Sequence, residues 1–180
     1  QHLSTTERNA TVNDQVSDRR QIRFGVREFD YEIRVVTKED ESLYVNFNPT
    51  AAYRAGKPVL DMINRVEVDK AEQVFAPKLF CDLPHPGLDP VGERATSPYL
   101  VMKVNGVRVF CKGGNWGMDD AMKNVSRDHL EPYLKLHHEQ HFNMIRDWTG
   151  ESTETVFYDL CDEYGILVFN DFWLSTEGYN

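Results

Sequence analysis

A chain of 180 residues with 41% hydrophobic and 12% aromatic side chains is long enough for one domain or parts of two, and too apolar for wholesale disorder. Its formal charge of −9, from 20 Lys+Arg against 29 Asp+Glu without any basic block, argues against nucleic-acid partners. Mean hydropathy is −0.54 and no apolar run approaches the roughly 18 residues of a membrane helix, so no helical span is expected. Three cysteines, Cys81, Cys111 and Cys161, are too few and odd in number for a disulfide scaffold. Cys111 and Cys161 sit in apolar stretches and read as buried thiols. Gln1-His2-Leu3-Ser4 has neither an initiator Met nor an apolar signal core, so the chain reads as an excised piece or processed product.

Residues 1–36 begin polar and then alternate. Ile22, Phe24 and Val26 recur at period two, as do Phe29, Tyr31, Ile33 and Val35, with Arg23, Arg27, Glu32 and Arg34 between them. This is the pattern of strands with one buried face. Gly25 and Glu28-Phe29 mark phase changes where a bulge or bend is expected. Residues 37–98 are irregular. Lys38-Glu39-Asp40-Glu41 reads as a solvated hairpin tip and residues 43–47 as a short strand. Pro49, Pro58, Pro77, Pro84, Pro86, Pro90 and Pro98 then break the chain repeatedly, and residues 82–90 suit neither helix nor central strand. The zone reads as an excursion laid over a larger body.

Residues 99–180 follow a different rule. Residues 99–104 and 107–110 flank Asn105-Gly106, the strongest short hairpin signal. Ser126 caps an expected helix with Leu130, Tyr133, Leu134 and His137 at i, i+3, i+4 and i+7. Residues 142–145 read as a strand. Ser152 or Thr153 then caps a second helix bearing Val156, Phe157, Leu160, Cys161 and Tyr164 on one face, and Gly165 ends it as a left-handed cap. The apolar run 166–169 reads as a parallel strand buried on both faces. The pattern is β-α-β-α-β, an α/β class made of right-handed crossover units. Three such strands do not close a barrel, so the architecture reads as cut near Asn180.

Function in such folds collects at the carboxyl ends of the strands. The first expected end carries Asn115, Trp116, Asp119 and Asp120. The second carries Arg146, Asp147, Trp148 and Glu151, and the third Asn170, Asp171 and Trp173. Each holds a Trp and an Asp. Aromatic rings stack on the apolar face of a pyranose while carboxylates, amides and arginines bind its hydroxyls. The alternative is that these Trp only seal the top of the sheet. His137-His138-Glu139-Gln140-His141 puts two imidazoles at i, i+4, but a third metal ligand is not evident. There is no G-x-S-x-G, phosphate loop or G-x-G-x-x-G, and no cofactor is expected.

Residues 104–116 (Val-Asn-Gly-Val-Arg-Val-Phe-Cys-Lys-Gly-Gly-Asn-Trp), 142–146 (Phe-Asn-Met-Ile-Arg) and 157–169 (Phe-Tyr-Asp-Leu-Cys-Asp-Glu-Tyr-Gly-Ile-Leu-Val-Phe) together resemble glycoside hydrolase family 2. That family holds β-galactosidases, β-glucuronidases, β-mannosidases and exo-β-glucosaminidases. Gly113-Gly114-Asn115-Trp116 and Asp171-Phe172-Trp173 are similar to the mannosidase and glucosaminidase branch. The resemblance implies three parts: the end of an immunoglobulin-like β-sandwich over 1–36, ending in a phrase like residues 23–27; an insertion with short strands over 37–98; and the first three strands of a (β/α)8 TIM barrel over 99–180.

It also implies a retaining exo-glycosidase that cleaves terminal β-linked sugars with two glutamates after the fourth and seventh barrel strands. Both would lie beyond Asn180, so no catalytic residue is expected here and the chain alone should be inactive. Glu151, Glu154, Glu163 and Glu177 do not stand in for them; Glu177 lacks the Asn that precedes the family acid/base. Carried over residue by residue, Asp120 matches a position that binds sugar hydroxyls and Arg146 the arginine beside the nucleophile, where its charge keeps that carboxylate ionised. Asn115, Trp116, Trp148, Asp171 and Trp173 match pocket-lining positions. The implied partners are a carbohydrate and the remainder of a parent chain, with no nucleic acid, membrane or metal. The competing reading is a stand-alone carbohydrate-binding module that uses the strand-end Trp and Asp residues.

Overall fold

The computed structural model describes residues 3–92, 100–117, 119–152 and 154–172. They divide into two compact units, Gln1–Phe110 and Cys111–Asn180. Strands dominate, three α-helices occur among the described residues, and no sheet closes on itself. No described helix is long and apolar enough to cross a membrane.

In the first unit, β1 (Leu3–Val12) and β2 (Gln15–Gly25) form an antiparallel hairpin. Asn13 and Asp14 turn it with left-handed φ values of 51° and 60°, as a tight two-residue hairpin requires. The polar opening of the sequence is therefore a strand. Ile22, Phe24 and Val26, expected on a buried face, are exposed, because the described residues lay no second layer on this ribbon.

The second sheet is built around β3 (Phe29–Val36). The break at residues 26–28 falls where the phase change predicts it. β3 pairs with β4 (Ser42–Phe47) through the expected hairpin tip, in which the Thr37 N–H donates to Glu41 O at 2.8 Å. The tip is tied down by Lys38–Asp82 and Lys78–Asp40 pairs of 2.8 and 2.7 Å. Residues 37–92 supply β4, helix α1 (Pro49–Arg54), β5 (Leu60–Asp69), β6 (Val74–Leu79) and β7 (Leu88–Val91). Strand order is β5-β6-β3-β4-β7. The prolines are accommodated where no ladder donor is needed. Pro90 lies in the edge strand β7. Pro77 faces the register shift after Asp61, where the Asp61 carboxylate accepts the Ile63 and Asn64 N–H groups at 3.0 and 2.9 Å. α1 starts with Asn48 accepting the Ala51 N–H at 2.8 Å and with proline in its first turn. Its Ala52 joins Val35, Val45, Val59, Leu79 and Leu88 in the core.

β8 (Leu100–Val104) pairs antiparallel with β3, and the Asn105-Gly106 turn (φ 50° and 77°) leads into β9 (Val107–Val109). The hairpin is where the turn signal puts it, but it belongs to the first unit. The two compact units meet after Phe110.

The second unit runs β10 (Gly113–Trp116), α2 (Arg127–Glu139), β11 (Met144–Asp147), α3 (Thr155–Tyr164) and β12 (Leu167–Asn170). Its strands are parallel in the order β10-β11-β12. The first parallel strand is thus residues 113–116, not 99–104 or 107–110. Glycine permits this: a Cβ on Gly113 would sit 1.7 Å from Met144 O, so only a bare Cα allows the strands to meet.

Leu130 and Leu134 of α2 and Phe157, Leu160 and Cys161 of α3 pack with Ile145 and Ile166, with Trp116 and Val168 against them. Both helices therefore cover one face of the sheet. α2 begins after Ser126, whose side chain makes no capping bond, and it tolerates Pro132 inside. The N-cap of α3 is Glu154; Ser152 is buried upstream instead, and Thr153 lies outside the described residues. Gly165 (φ 69°) ends α3 as expected, with the Ile166 N–H on Cys161 O at 2.8 Å. β12 is not buried on both faces, since Phe169 and Asn170 are exposed on an edge strand. Cys161 is buried and its thiol is pushed up to about 12 by desolvation, whereas Cys111 is exposed, against expectation.

Gly113→Ala should destabilise the chain by on the order of 2 kcal/mol or more, through a backbone clash that nothing can relieve. Gly114→Ala, which meets nothing within 4 Å, should be near neutral. Urea denaturation followed by tryptophan fluorescence checks the pair; equal midpoints would refute the close approach.

Candidate functional site

The carboxyl ends of β10, β11 and β12 lie side by side. Asn115, Arg146 and Phe169 are in register, as are Trp116, Asp147 and Asn170. Strand alternation sends the second row toward α2 and α3 and the first to the opposite face, which no described helix covers. Asn115 and Arg146, expected from different motifs, are brought together: Arg146 Nη1 lies 3.5 Å from Asn115 Oδ1.

Asp171 follows β12 and takes the other edge of the guanidinium. Arg146 Nε donates to Oδ1 at 3.1 Å and Nη2 to Oδ2 at 2.6 Å, a two-pronged ion pair. The Thr149 N–H donates to the same Oδ2 at 3.2 Å. Arg146, opposed by partial desolvation and helped by Thr149, holds the Asp171 carboxyl below the usual carboxylate range.

The tryptophans separate. Trp116 lies on the helix side, 5.4 Å from Phe157, 6.0 Å from His137 and 6.1 Å from Tyr133 between ring centres. Its indole N–H donates to Ser152 Oγ at 2.9 Å. This ring is engaged by the protein on the helix side of the sheet. Trp148 begins a single 3₁₀ turn, Trp148–Gly150, and is 48% exposed. Trp173 lies outside the described residues.

Asp119 and Asp120 follow β10. Asp119 Oδ1 meets His129 Nε2 at 3.0 Å. A hydrogen bond from Tyr133 and the one from His129 hold the Asp119 carboxyl low, so this carboxylate clasps the loop to α2. Asp120 Oδ1 accepts the Met122 N–H at 2.7 Å, and its carbonyl accepts the Lys123 N–H at 2.8 Å. The four charged residues Asp119, Asp120, Lys123 and Glu151 line a polar hollow of about 480 Å³. A larger hollow of about 660 Å³ in the first unit is walled chiefly by apolar side chains such as Phe47, Leu60 and Phe75 and carries no carboxylate.

One group was not separable from the rim by sequence. Asp147 is 0% exposed. Its Oδ1 accepts the Ser152 N–H at 3.2 Å, while its Oδ2 and Glu154 Oε1 are buried without a hydrogen-bond partner among the described residues. Tyr158 Oη lies 3.0 Å from Ser152 O and 3.1 Å from Asn170 Oδ1. Burial pushes the Asp147 carboxyl up, and Glu154, Glu151 and Asp171 add to the effect. Alternation along β11 would have found it, had the strand been read to residue 147.

The histidine run does not form a metal face. α2 ends at Glu139, His141 has φ 59°, and the Nδ1 atoms of His137 and His138 meet Tyr133 O and Tyr164 O at 2.7 and 2.9 Å. Among the described residues no three His, Cys, Asp or Glu side chains gather as a metal cluster.

A carboxyl raised by burial stabilises the fold fully below its unfolded pKa, and the contribution fades as pH rises through the folded value. Asp147→Asn removes that loss. Its melting temperature relative to the parent sequence should therefore rise as pH increases above about 4. Thermal melts at several pH values check this; parallel curves would refute it.

No family model matches the chain. Curated relatives do. A mannosylglycoprotein endo-β-mannosidase of Lilium longiflorum is 43% identical over 78 residues, 43% of this chain and 8% of that protein. Beta-mannosidase B of Thermothelomyces thermophilus is 37% identical over 90 residues, 49% of this chain and 10% of that protein. The β-mannosidase of Capra hircus is 37% identical over 79 residues, 43% of this chain and 9% of that protein. The match spans about a tenth or less of the length of these relatives. Over somewhat under half of its length, this chain is similar to proteins named β-mannosidase.

Proposed function

We propose that the chain is part of a retaining, exo-acting glycoside hydrolase of family 2 that removes terminal β-linked mannose or a closely related sugar. The first unit corresponds to β-sandwich with its inserted strands, and the second to the opening β-α-β-α-β of a (β/α)8 barrel. The observation that carries this is the one-sided sheet. Its three parallel strands run in sequential order with both helices on one face, while the other face holds Asn115 and Arg146. A doubly wound sheet covers both faces with helices; a barrel keeps one face inward for side chains and substrate. The names of the relatives supply the sugar.

In this reading the two glutamates, about 5 Å apart across the glycosidic bond, come from outside this chain. What these residues add is binding and electrostatics. Asp120 and Asn115 take sugar hydroxyls, and Trp148 and Trp173 offer ring faces. Arg146 lies beside the nucleophilic carboxylate and favours its ionised form.

The full parent protein should hydrolyse 4-nitrophenyl β-mannoside and release the β-anomer first, as proton NMR of the fresh product would record. Release of the α-anomer, or no turnover, would refute the reading. The 180-residue chain alone should show no turnover. The alternative, a free carbohydrate-binding module, draws on the exposed ring of Trp148 and predicts saturable tryptophan quenching of the 180-residue chain by mannose or mannobiose. The open edges of the parallel sheet speak against it.

A further inference from the structure

We infer that Asp171 is a positioning residue, not a sugar-binding carboxylate: it locks the Arg146 guanidinium and the Trp148 turn into one arrangement. The inference rests on the glycosidase reading for what Arg146 does, and on geometry alone for what Asp171 does to it.

A carboxylate offers about four lone-pair sites. Three of those of Asp171 are taken, by Arg146 Nε at 3.1 Å, Arg146 Nη2 at 2.6 Å and the Thr149 N–H at 3.2 Å. Its side chain is only 14% exposed, against 44% for Arg146. The arginine, not the aspartate, is the member open to a ligand, and it keeps its Nη1 edge toward Asn115.

The aspartate is itself anchored. Its N–H donates to Asp147 O at 3.2 Å, and its carbonyl accepts from Asn170 Nδ2 at 3.1 Å. The third donor extends the clamp. Thr149 holds a left-handed φ of 60°, a conformation a threonine rarely adopts, and its N–H is the group that Asp171 Oδ2 accepts. One carboxylate thereby joins β12, the arginine of β11 and the turn that presents Trp148. Asp171→Asn keeps the size but replaces one acceptor by an NH2 that faces the guanidinium donors.

Two measurements test this. In the parent enzyme, Asp171→Asn should lower kcat by roughly 10- to 100-fold with little change in KM, as misplacement of a reacting-centre group does. Arg146→Ala should lower kcat at least as far. The double variant should be no more than about 3-fold below Arg146→Ala, because coupled residues are non-additive. Multiplicative losses, or a rise in KM with kcat unchanged, would overturn the positioning role and return Asp171 to the sugar. In the 180-residue chain, 15N NMR should show a slowly exchanging Arg146 Nε–Hε resonance that Asp171→Asn abolishes while far-UV circular dichroism is unchanged. An Hε that already exchanges as fast as an exposed arginine's would overturn the clamp. Should the parent fail to hydrolyse β-mannosides, the glycosidase reading falls while the NMR result still decides the clamp.

Discussion

The backbone approach of β10 to β11 at Gly113 is the constraint on which the second unit depends. It sets the register that places Asn115 opposite Arg146 and Trp116 opposite Asp147. Once that register holds, strand alternation assigns every strand-end side chain to one of two environments. Trp116, Ile145 and Val168 enter a close-packed layer with α2 and α3. Asn115 and Arg146 stay on the face that no described helix covers.

The same alternation explains why neighbouring aspartates differ in charge behaviour. Asp171 faces a guanidinium and is held low; Asp119 accepts from Tyr133 and His129 and is also held low. Asp147, one residue along β11 from Arg146, is turned into the helix layer, receives a single backbone N–H through one oxygen, and is pushed up. Desolvation dominates where no cation answers it, and a two-pronged arginine overrides it where one does. The Arg146–Asp171 ion pair and the desolvated Asp147 thus occupy neighbouring strand-end positions on opposite faces of the sheet.

The first unit solves another problem. Its middle third is broken by prolines, yet it pairs with β3 on both sides. Pro90 sits at an edge, Pro77 faces a register shift closed by Asp61, and Pro49 opens α1. These three prolines fall where a missing N–H costs little. A string of breakers can therefore be a set of short strands, provided each break coincides with an end, an edge or a bulge.

Local rules made much of this legible. Asn105-Gly106 turns a hairpin, Lys38-Glu39-Asp40-Glu41 tips another, Gly165 caps α3, and the 3.6-residue spacing of Leu130, Leu134, Phe157 and Leu160 names the helix faces. These signals act within a few residues, so one sequence carries them. The motif text around Gly113, Arg146 and Phe157 likewise carries the resemblance to glycoside hydrolase family 2. Only tertiary structure decided that 113–116 is a strand, since a glycine's role depends on what lies opposite it. It alone drew the unit boundary after Phe110, because pairing with β3 is non-local. It alone divided Trp116 from Trp148 and Asp147 from Asp171: residue type names the chemistry available, and the face on which a side chain emerges settles whether solvent, a cation or a packed core meets it.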